Sequence, residues 1–129
     1  MNINKHKMRF YTAMPKGLTP FYKHELARAR FFNGHDIAHC WHHLERAHVI
    51  GQKYPIPHTA VHWEMLKFGF RIKSVKEVIG QLPRLVMGGI KSFVGTIPIG
   101  NTGGANVHPL KPMTIPADIQ DLFDKHTNS

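Results

Sequence analysis

The stretch DIAHCWHHLERAHVIGQKYPIPHTAVH, residues 36–62, decides the fold of this chain. Apolar residues recur along it at helical spacing as far as Gly51, which predicts a helix over residues 36–50. Two prolines within residues 53–57 predict a turn, and the next helix is expected over residues 58–70. Because the connection is short, the two helices should pack antiparallel.

Further helices are expected on both sides of this hairpin. Upstream, Thr19 resembles an N-cap followed by Pro20 at the first helical position, and that helix should end at Asn33 and Gly34. Downstream, Ser74 and Glu77 have the spacing of a capping box. Apolar residues at helical spacing follow this box, and a proline then should kink or restart the helix; they are Val75, Val78, Ile79, Leu82 and Pro83.

The predicted fold class is all-α. We expect a small antiparallel bundle of two helix hairpins, with an irregular Gly/Pro-rich C-terminal segment that ends in a short helix over residues 116–124. Residues 1–18 should form an N-terminal arm and residues 19–129 a single helical domain, in which residues 95–115 form a loop covering the helices. The first hairpin has tetratricopeptide-like spacing, but no repeat period follows it.

Composition restricts the cellular location and the partners that we expect for the protein. The chain has 129 residues and one cysteine, so an internal disulfide is excluded and a cytoplasmic location is favoured. No apolar run approaches the length of a membrane span, so no membrane partner is expected. The net charge of +9 points to an anionic partner. Nucleic acid is not favoured over a simply solvated basic surface, because the basic residues are dispersed and no recognition motif accompanies them. An acidic protein partner and a homodimer stay open.

Histidines are concentrated in the deciding stretch and its edge: His35, His39, His42, His43, His48, His58 and His62. Imidazole binds borderline transition metals and exchanges protons near neutral pH, so this concentration is either a ligand set or a titratable patch. Helical geometry divides the group. Three of its members, His35, His39 and His43, should face solvent.

The inward-facing histidines predict a metal site. Glu45 and His48 form a Glu-x-x-His pair, and His58 and His62 are four residues apart on one helix face. The hairpin brings the two pairs together, with His42 at the margin of the site. These donors suit zinc, iron, nickel or copper. A hydrogen-bonded core network, in which the carboxylate only orients a histidine, is weighed equally.

A second unusual segment contains Asn101, Thr102, Gly103, Gly104 and Asn106. Successive amides near glycines can bind an anion, but the Gly-Lys-Ser/Thr of a nucleotide-binding loop is missing. We favour a compact loop strapped over the helices. Such a loop could also cover the histidine site.

Three runs carry a family resemblance: HLERAH at residues 43–48, VHW at residues 61–63 and PIGNTGGAN at residues 98–106. They resemble the family of unknown function DUF3703, over about residues 26–119. The resemblance implies a single-domain helical bacterial protein and brings no established activity.

Two functions of different classes follow. The first is a helical protein that binds a transition metal through the His/Glu cluster, for metal handling or metal-assisted chemistry. The alternative is a tetratricopeptide-like protein-interaction module with structural histidines and a basic surface. Whether the protein is an enzyme is left open, because no nucleophile or cofactor motif points to a reaction.

Overall fold

The computed structural model describes residues 13–87, 101–107 and 112–126. Within these ranges the chain forms five helices and no strand: α1 (Thr19–Phe32), α2 (Ile37–Gly51), α3 (Pro55–Arg71), α4 (Val75–Met87) and α5 (Ala117–His126). Helix α1 packs on α2, α2 on α3, and α3 on α4. The predicted all-α bundle of two helix hairpins is confirmed.

Helix α1 begins at Thr19 and ends at Phe32, close to the prediction. Leu18, rather than Thr19, occupies the N-cap position, and no side chain caps this end. The predicted cap is wrong because the preceding turn already bonds the Leu18 amide to the Pro15 carbonyl at 2.9 Å, so the chain enters the helix one residue earlier. Gly34, with φ of +89°, completes the turn that follows.

Helix α2 has a conventional N-terminus. The Asp36 side chain accepts a hydrogen bond from the His39 amide at 3.0 Å, which satisfies one of the free N–H groups of the first turn. The helix then runs to Gly51, one residue beyond the predicted end.

Helix α3 begins at Pro55, three residues before the predicted start. Proline fits the first helical position because its φ is already helical and no N–H is needed there. The turn between α2 and α3 is therefore limited to residues 52–54. The Tyr22 hydroxyl of α1 donates to the Pro57 carbonyl at 2.8 Å, which ties the first hairpin to the start of α3.

Helix α4 begins as the sequence predicts, because the Glu77 amide donates to Ser74 Oγ at 3.2 Å and so caps the first turn. Pro83 lies inside the helix and does not end it; the helix reaches Met87. Residues 1–12 of the predicted arm, and residues 95–100 and 108–111 of the predicted loop, lie outside the described residues.

The orientation of α4 is unexpected. Its apolar residues Val75, Ile79 and Leu82 are exposed by 70%, 61% and 48%, whereas Gln81 is fully buried. The polar face of the helix therefore points into the protein. An inward polar face requires polar partners inside, and these lie at the site described below.

Helix α5 covers one side of the bundle, with Ile119 and Phe123 buried in the core. Arg46 of α2 links three helices, since its guanidinium donates to Glu25 Oε1 of α1 at 2.8 Å and to the Asp118 carboxylate of α5. His43 Nδ1 lies 2.6 Å from Glu25 Oε2. The prediction that His43 faces solvent is wrong, because its ring is held in this ion-pair network.

Among the described helices, none combines the length and the apolar character needed to cross a membrane.

Candidate metal centre

Three buried histidines meet between α2 and α3. The Nε2 atom of His48 lies 2.8 Å from that of His58 and 3.1 Å from that of His62, and the last two are 3.0 Å apart. Each residue is only 2% exposed. Among the described residues, these three are the one group of His, Cys, Asp or Glu side chains close enough together to hold a metal ion.

Local sequence accounts for this convergence. His58 and His62 lie one turn apart on α3, so their rings project from the same face. His48 lies in the last turn of α2, and the short connection to Pro55 brings it opposite the first turns of α3. All three ligand positions thus lie within residues 48–62 of one hairpin.

The outer nitrogen of His48 is fixed by the backbone. Its Nδ1 lies 2.7 Å from the carbonyl oxygen of Asn101, which begins the segment 101–107, called the strap here. A carbonyl oxygen only accepts, so Nδ1 carries the hydrogen. In the neutral ring, Nε2 of His48 then presents a lone pair to the other two histidines.

The outer nitrogen of His62 is fixed by a buried glutamine. His62 Nδ1 lies 2.6 Å from Gln81 Oε1. The Gln81 amide nitrogen donates to Glu77 Oε1 and to the Gly103 carbonyl, both at 2.8 Å. Because both of these groups only accept, the amide orientation is set, and His62 must donate from Nδ1. Its Nε2 also presents a lone pair to the centre.

The Nε2 atoms of His48 and His62 lie 3.1 Å apart. Their lone pairs face each other and repel unless a cation or a proton lies near them. A proton on Nε2 of His58 could satisfy both in the metal-free protein. A metal ion could satisfy all three rings. Ligands at about 2.0–2.1 Å from a tetrahedral ion are separated by about 3.3–3.4 Å, so the rings need to move apart by only a few tenths of an ångström.

Burial keeps the His62 ring neutral. Desolvation lowers its pKa from 6.5 to about 4; the hydrogen bond with Gln81 opposes this shift, and the positive charge of Arg84 adds to it. The neutral imidazole is the form that binds a metal, so at neutral pH His62 is ready to act as a ligand.

The strap is fastened to α4 by polar contacts. The Arg84 guanidinium donates to the carbonyls of Gly104 and Val107 at 3.2 and 2.8 Å, and the Ala105 amide donates to Glu77 Oε1 at 3.1 Å. These bonds use the inward polar face of α4. They hold the strap against the histidine cluster.

Gly103 of the strap packs tightly against the His48 ring. Its φ is +82°, and a Cβ atom added to it would lie 2.6 Å from Cδ2 of His48. A positive φ of this kind is a conformation that residues with side chains disfavour. Neither the backbone conformation nor the available space admits another residue without a shift.

Glu45 and His42, which the sequence also placed in the site, lie outside the three-histidine group. The Glu45 carboxylate is bonded to the Trp41 side chain, and burial raises its pKa. His42 is exposed and shares a shallow surface groove with His39 and His43.

The strap residues of the predicted loop differ in position. Asn101 and both glycines are buried, Thr102 is half-buried and Asn106 is exposed. The Gly103 amide donates to Asn101 Oδ1 at 2.8 Å. This amide and that of Ala105 are therefore already bonded within the protein, so they are not available to an anion in this conformation.

The sequence did not predict that Gln81 contacts His62. It also did not predict that Glu77, besides its place in the capping box, accepts hydrogen bonds from Gln81 and the strap. One signal was present, since Gln81 follows Glu77 by one helical turn and Arg84 continues the same polar face. On a helix with a clear apolar face elsewhere, such a row is ordinarily assigned to solvent. The buried partners that reverse the assignment are distant in sequence.

A comparison with protein-family models identifies the family of the chain. The model described as protein of unknown function (DUF3703) matches residues 16–123. The chain belongs to the DUF3703 family. The match includes the three histidines, Gln81 and the strap of this DUF3703 protein. Searches of curated proteins and of solved structures gave no match.

Proposed function

We propose that this DUF3703 protein handles a transition metal, holding one ion through the Nε2 atoms of His48, His58 and His62. One observation carries the proposal. Three buried imidazole nitrogens lie 2.8–3.1 Å apart, and the fixed partners of His48 and His62 leave lone pairs directed at the shared centre.

The chemistry of the donors supports a transition metal. Imidazole nitrogens suit zinc, iron, nickel and copper, whereas calcium and magnesium require oxygen ligands. Outer hydrogen bonds that fix the ring orientation and the tautomer are typical of metal-binding histidines. His48 and His62 both have such bonds.

The enclosure favours handling of the metal over a reaction at it. Catalytic metal sites keep a position open to solvent or substrate. Here each ring is almost fully buried, and the strap lies against His48. Such a site protects a bound ion, and movement of the strap provides a path for its exchange.

Metal analysis of the protein without a histidine tag tests the proposal. After reconstitution with zinc, nickel, iron(II) or copper and removal of loose metal, we expect one equivalent of at least one ion in the wild type. His58→Ala and His62→Ala should lose it. The matched control is the double variant His39→Ala/His42→Ala, which removes two exposed histidines and should keep the ion.

Wild-type protein that retains none of these ions contradicts the proposal. So does an equivalent that survives in both His58→Ala and His62→Ala. The protein-interaction module, its acidic partner and a homodimer stay predictions from the sequence.

A further inference from the structure

The three imidazole ligands themselves contribute no negative charge to a bound ion. The ligand group contains neither a carboxylate nor a thiolate among the described residues. The outer partners of His48 and His62 are also neutral, namely the Asn101 carbonyl and the Gln81 amide. None of these ligands and outer partners neutralises the charge of an ion bound at this buried position.

This lack of compensation favours an ion of low charge. The cost of moving an ion from water into a medium of low polarity grows with the square of its charge, so a divalent ion is penalised about four times as much as a monovalent one. The charges beside the strap offset each other, since Arg84 donates to the Val107 carbonyl and Glu77 accepts from the Ala105 amide.

The number of ligands favours the same kind of ion. Zinc held by three histidines takes a water molecule as its fourth ligand. Within the described part of the chain no fourth His, Cys, Asp or Glu donor joins the three nitrogens, and each of the three residues is only 2% exposed. Copper(I) has a closed d shell, carries a single charge and is stable with three ligands. Sulfur ligands are the usual selectors of copper(I), but imidazole also binds copper, so selectivity here depends on the charge and number of the ligands.

Gln81 determines the charge next to the ring of His62. A glutamate has nearly the same size and would also accept the hydrogen bond, and carboxylates are frequent partners of metal-bound histidines. The amide holds the ring without adding a charge. A carboxylate does lie nearby, but it belongs to Glu77, which is bonded to the Gln81 amide nitrogen and not to the His62 ring.

We propose that the metal site described above selects copper(I) over divalent ions, and that Gln81 is the residue that sets this selectivity. The inference rests on the proposed function. Gln81 acts through His62, as a positioning residue whose neutrality matters.

An exchange of the Glu77 and Gln81 side chains tests this role of Gln81. The variant Glu77→Gln/Gln81→Glu keeps the composition and net charge of the chain, keeps a donor and an acceptor between positions 77 and 81, and moves the carboxylate next to His62. Copper(I) affinity is measured without oxygen by competition with bicinchoninate, and zinc affinity by competition with a chromophoric chelator. The readout is the ratio of the two association constants.

We expect the wild type to bind copper(I) more tightly than zinc, and the exchange to lower the ratio at least tenfold, mainly through tighter zinc binding. Glu77→Gln alone is the matched control, because it removes the same charge from position 77 without placing one beside the ring. Its ratio should not fall.

A wild type that binds zinc more tightly overturns the proposed selectivity, and this measurement requires no variant to fold. A folded exchange variant, checked by circular dichroism, whose ratio equals that of the wild type overturns the role of Gln81. Failure of the wild type to bind either ion also overturns the selectivity, and it overturns the metal site itself when nickel and iron(II) fail to bind as well, so the two failures are distinguishable.

Discussion

Gly103 shows how one residue can join two parts of the site. Its positive φ and its distance to the His48 ring each exclude a side chain. Gly34 has a similar φ of +89°, but no atom lies within 4 Å of its would-be Cβ. A comparison of substitutions at these two glycines therefore separates the effect of backbone strain from that of steric crowding.

Replacement of Gly103 by alanine should weaken metal retention. Backbone strain of about 1–3 kcal/mol applies at both glycines, but only Gly103→Ala also pushes the strap away from His48. We expect faster loss of bound metal to a chelator in Gly103→Ala and an unchanged rate in Gly34→Ala. Equal rates in the two variants would contradict the proposed contact.

The low pKa of His62 predicts acid sensitivity of the metal-free protein. The unfolded chain takes up a proton at pH values below 6.5, whereas the folded ring resists protonation until about pH 4. Stability is therefore retained at higher pH and falls as the pH drops through this range, by up to about 3 kcal/mol. Urea unfolding between pH 4 and 7 measures this slope, which His62→Leu should reduce; identical slopes in both proteins would exclude His62 as its source.

At the scale of helices, the sequence predicts best where the signal is local. The end of α1 and the start of α2 are set by the turn at Gly34 and the side-chain cap of Asp36, both of which can be recognised in the sequence. Gly51, which indicates a stop, lies within the last turn of α2 instead. The predicted start of α3 is three residues too late, because prolines indicate a turn, whereas Pro55 occupies the first helical position.

The orientation of α4 could not be predicted in this way. Its apolar face indicates a core-facing stripe, yet the polar row with Glu77, Gln81 and Arg84 is turned inward. Tertiary partners decide this orientation, and they come from residues 48–62 and from the strap. A single helix carries no information about partners so distant in sequence.

The link between helices through Arg46 predicts unequal effects of two arginine substitutions. Arg46→Met should lower the free energy of unfolding by about 2–3 kcal/mol, because the buried Glu25 carboxylate loses its guanidinium partner.

Arg30→Met is the control for this comparison. Arg30 is exposed and lies 3.8 Å from Glu64. Because exposed ion pairs contribute little, its loss should cost less than about 0.5 kcal/mol. Chemical denaturation compares the two variants, and similar losses would argue against the network.

For the whole molecule, a bound ion should raise thermal stability. At a free-ion concentration about 100 times Kd, binding to the folded state contributes about 2.7 kcal/mol. For a chain of this length that corresponds to a rise in Tm of roughly 10 °C. Thermal unfolding with and without zinc or copper(I) measures the shift, and His62→Ala should show none. A shift of equal size in that variant would indicate binding elsewhere.

The candidate site divides into a part that the sequence reveals and a part that it does not. His48, His58 and His62 are predictable as neighbours, because helix periodicity and one short turn relate them. Glu45 was included for its spacing to His48, but its carboxylate pairs with Trp41. The outer groups, Gln81 and the strap, are separated from the ligands by long stretches of chain, and no local rule connects them.

The positions of these groups in the sequence affect the order in which the site can assemble. All three ligands lie in a single hairpin, whereas the groups that fix their tautomers and enclose them come later in the chain. Under the proposed function, the complete ligand set is therefore present as soon as the two helices of the hairpin meet, before α4 docks. Capture would then be fast and unselective at first, and discrimination between ions would arrive only with Gln81 and closure by the strap.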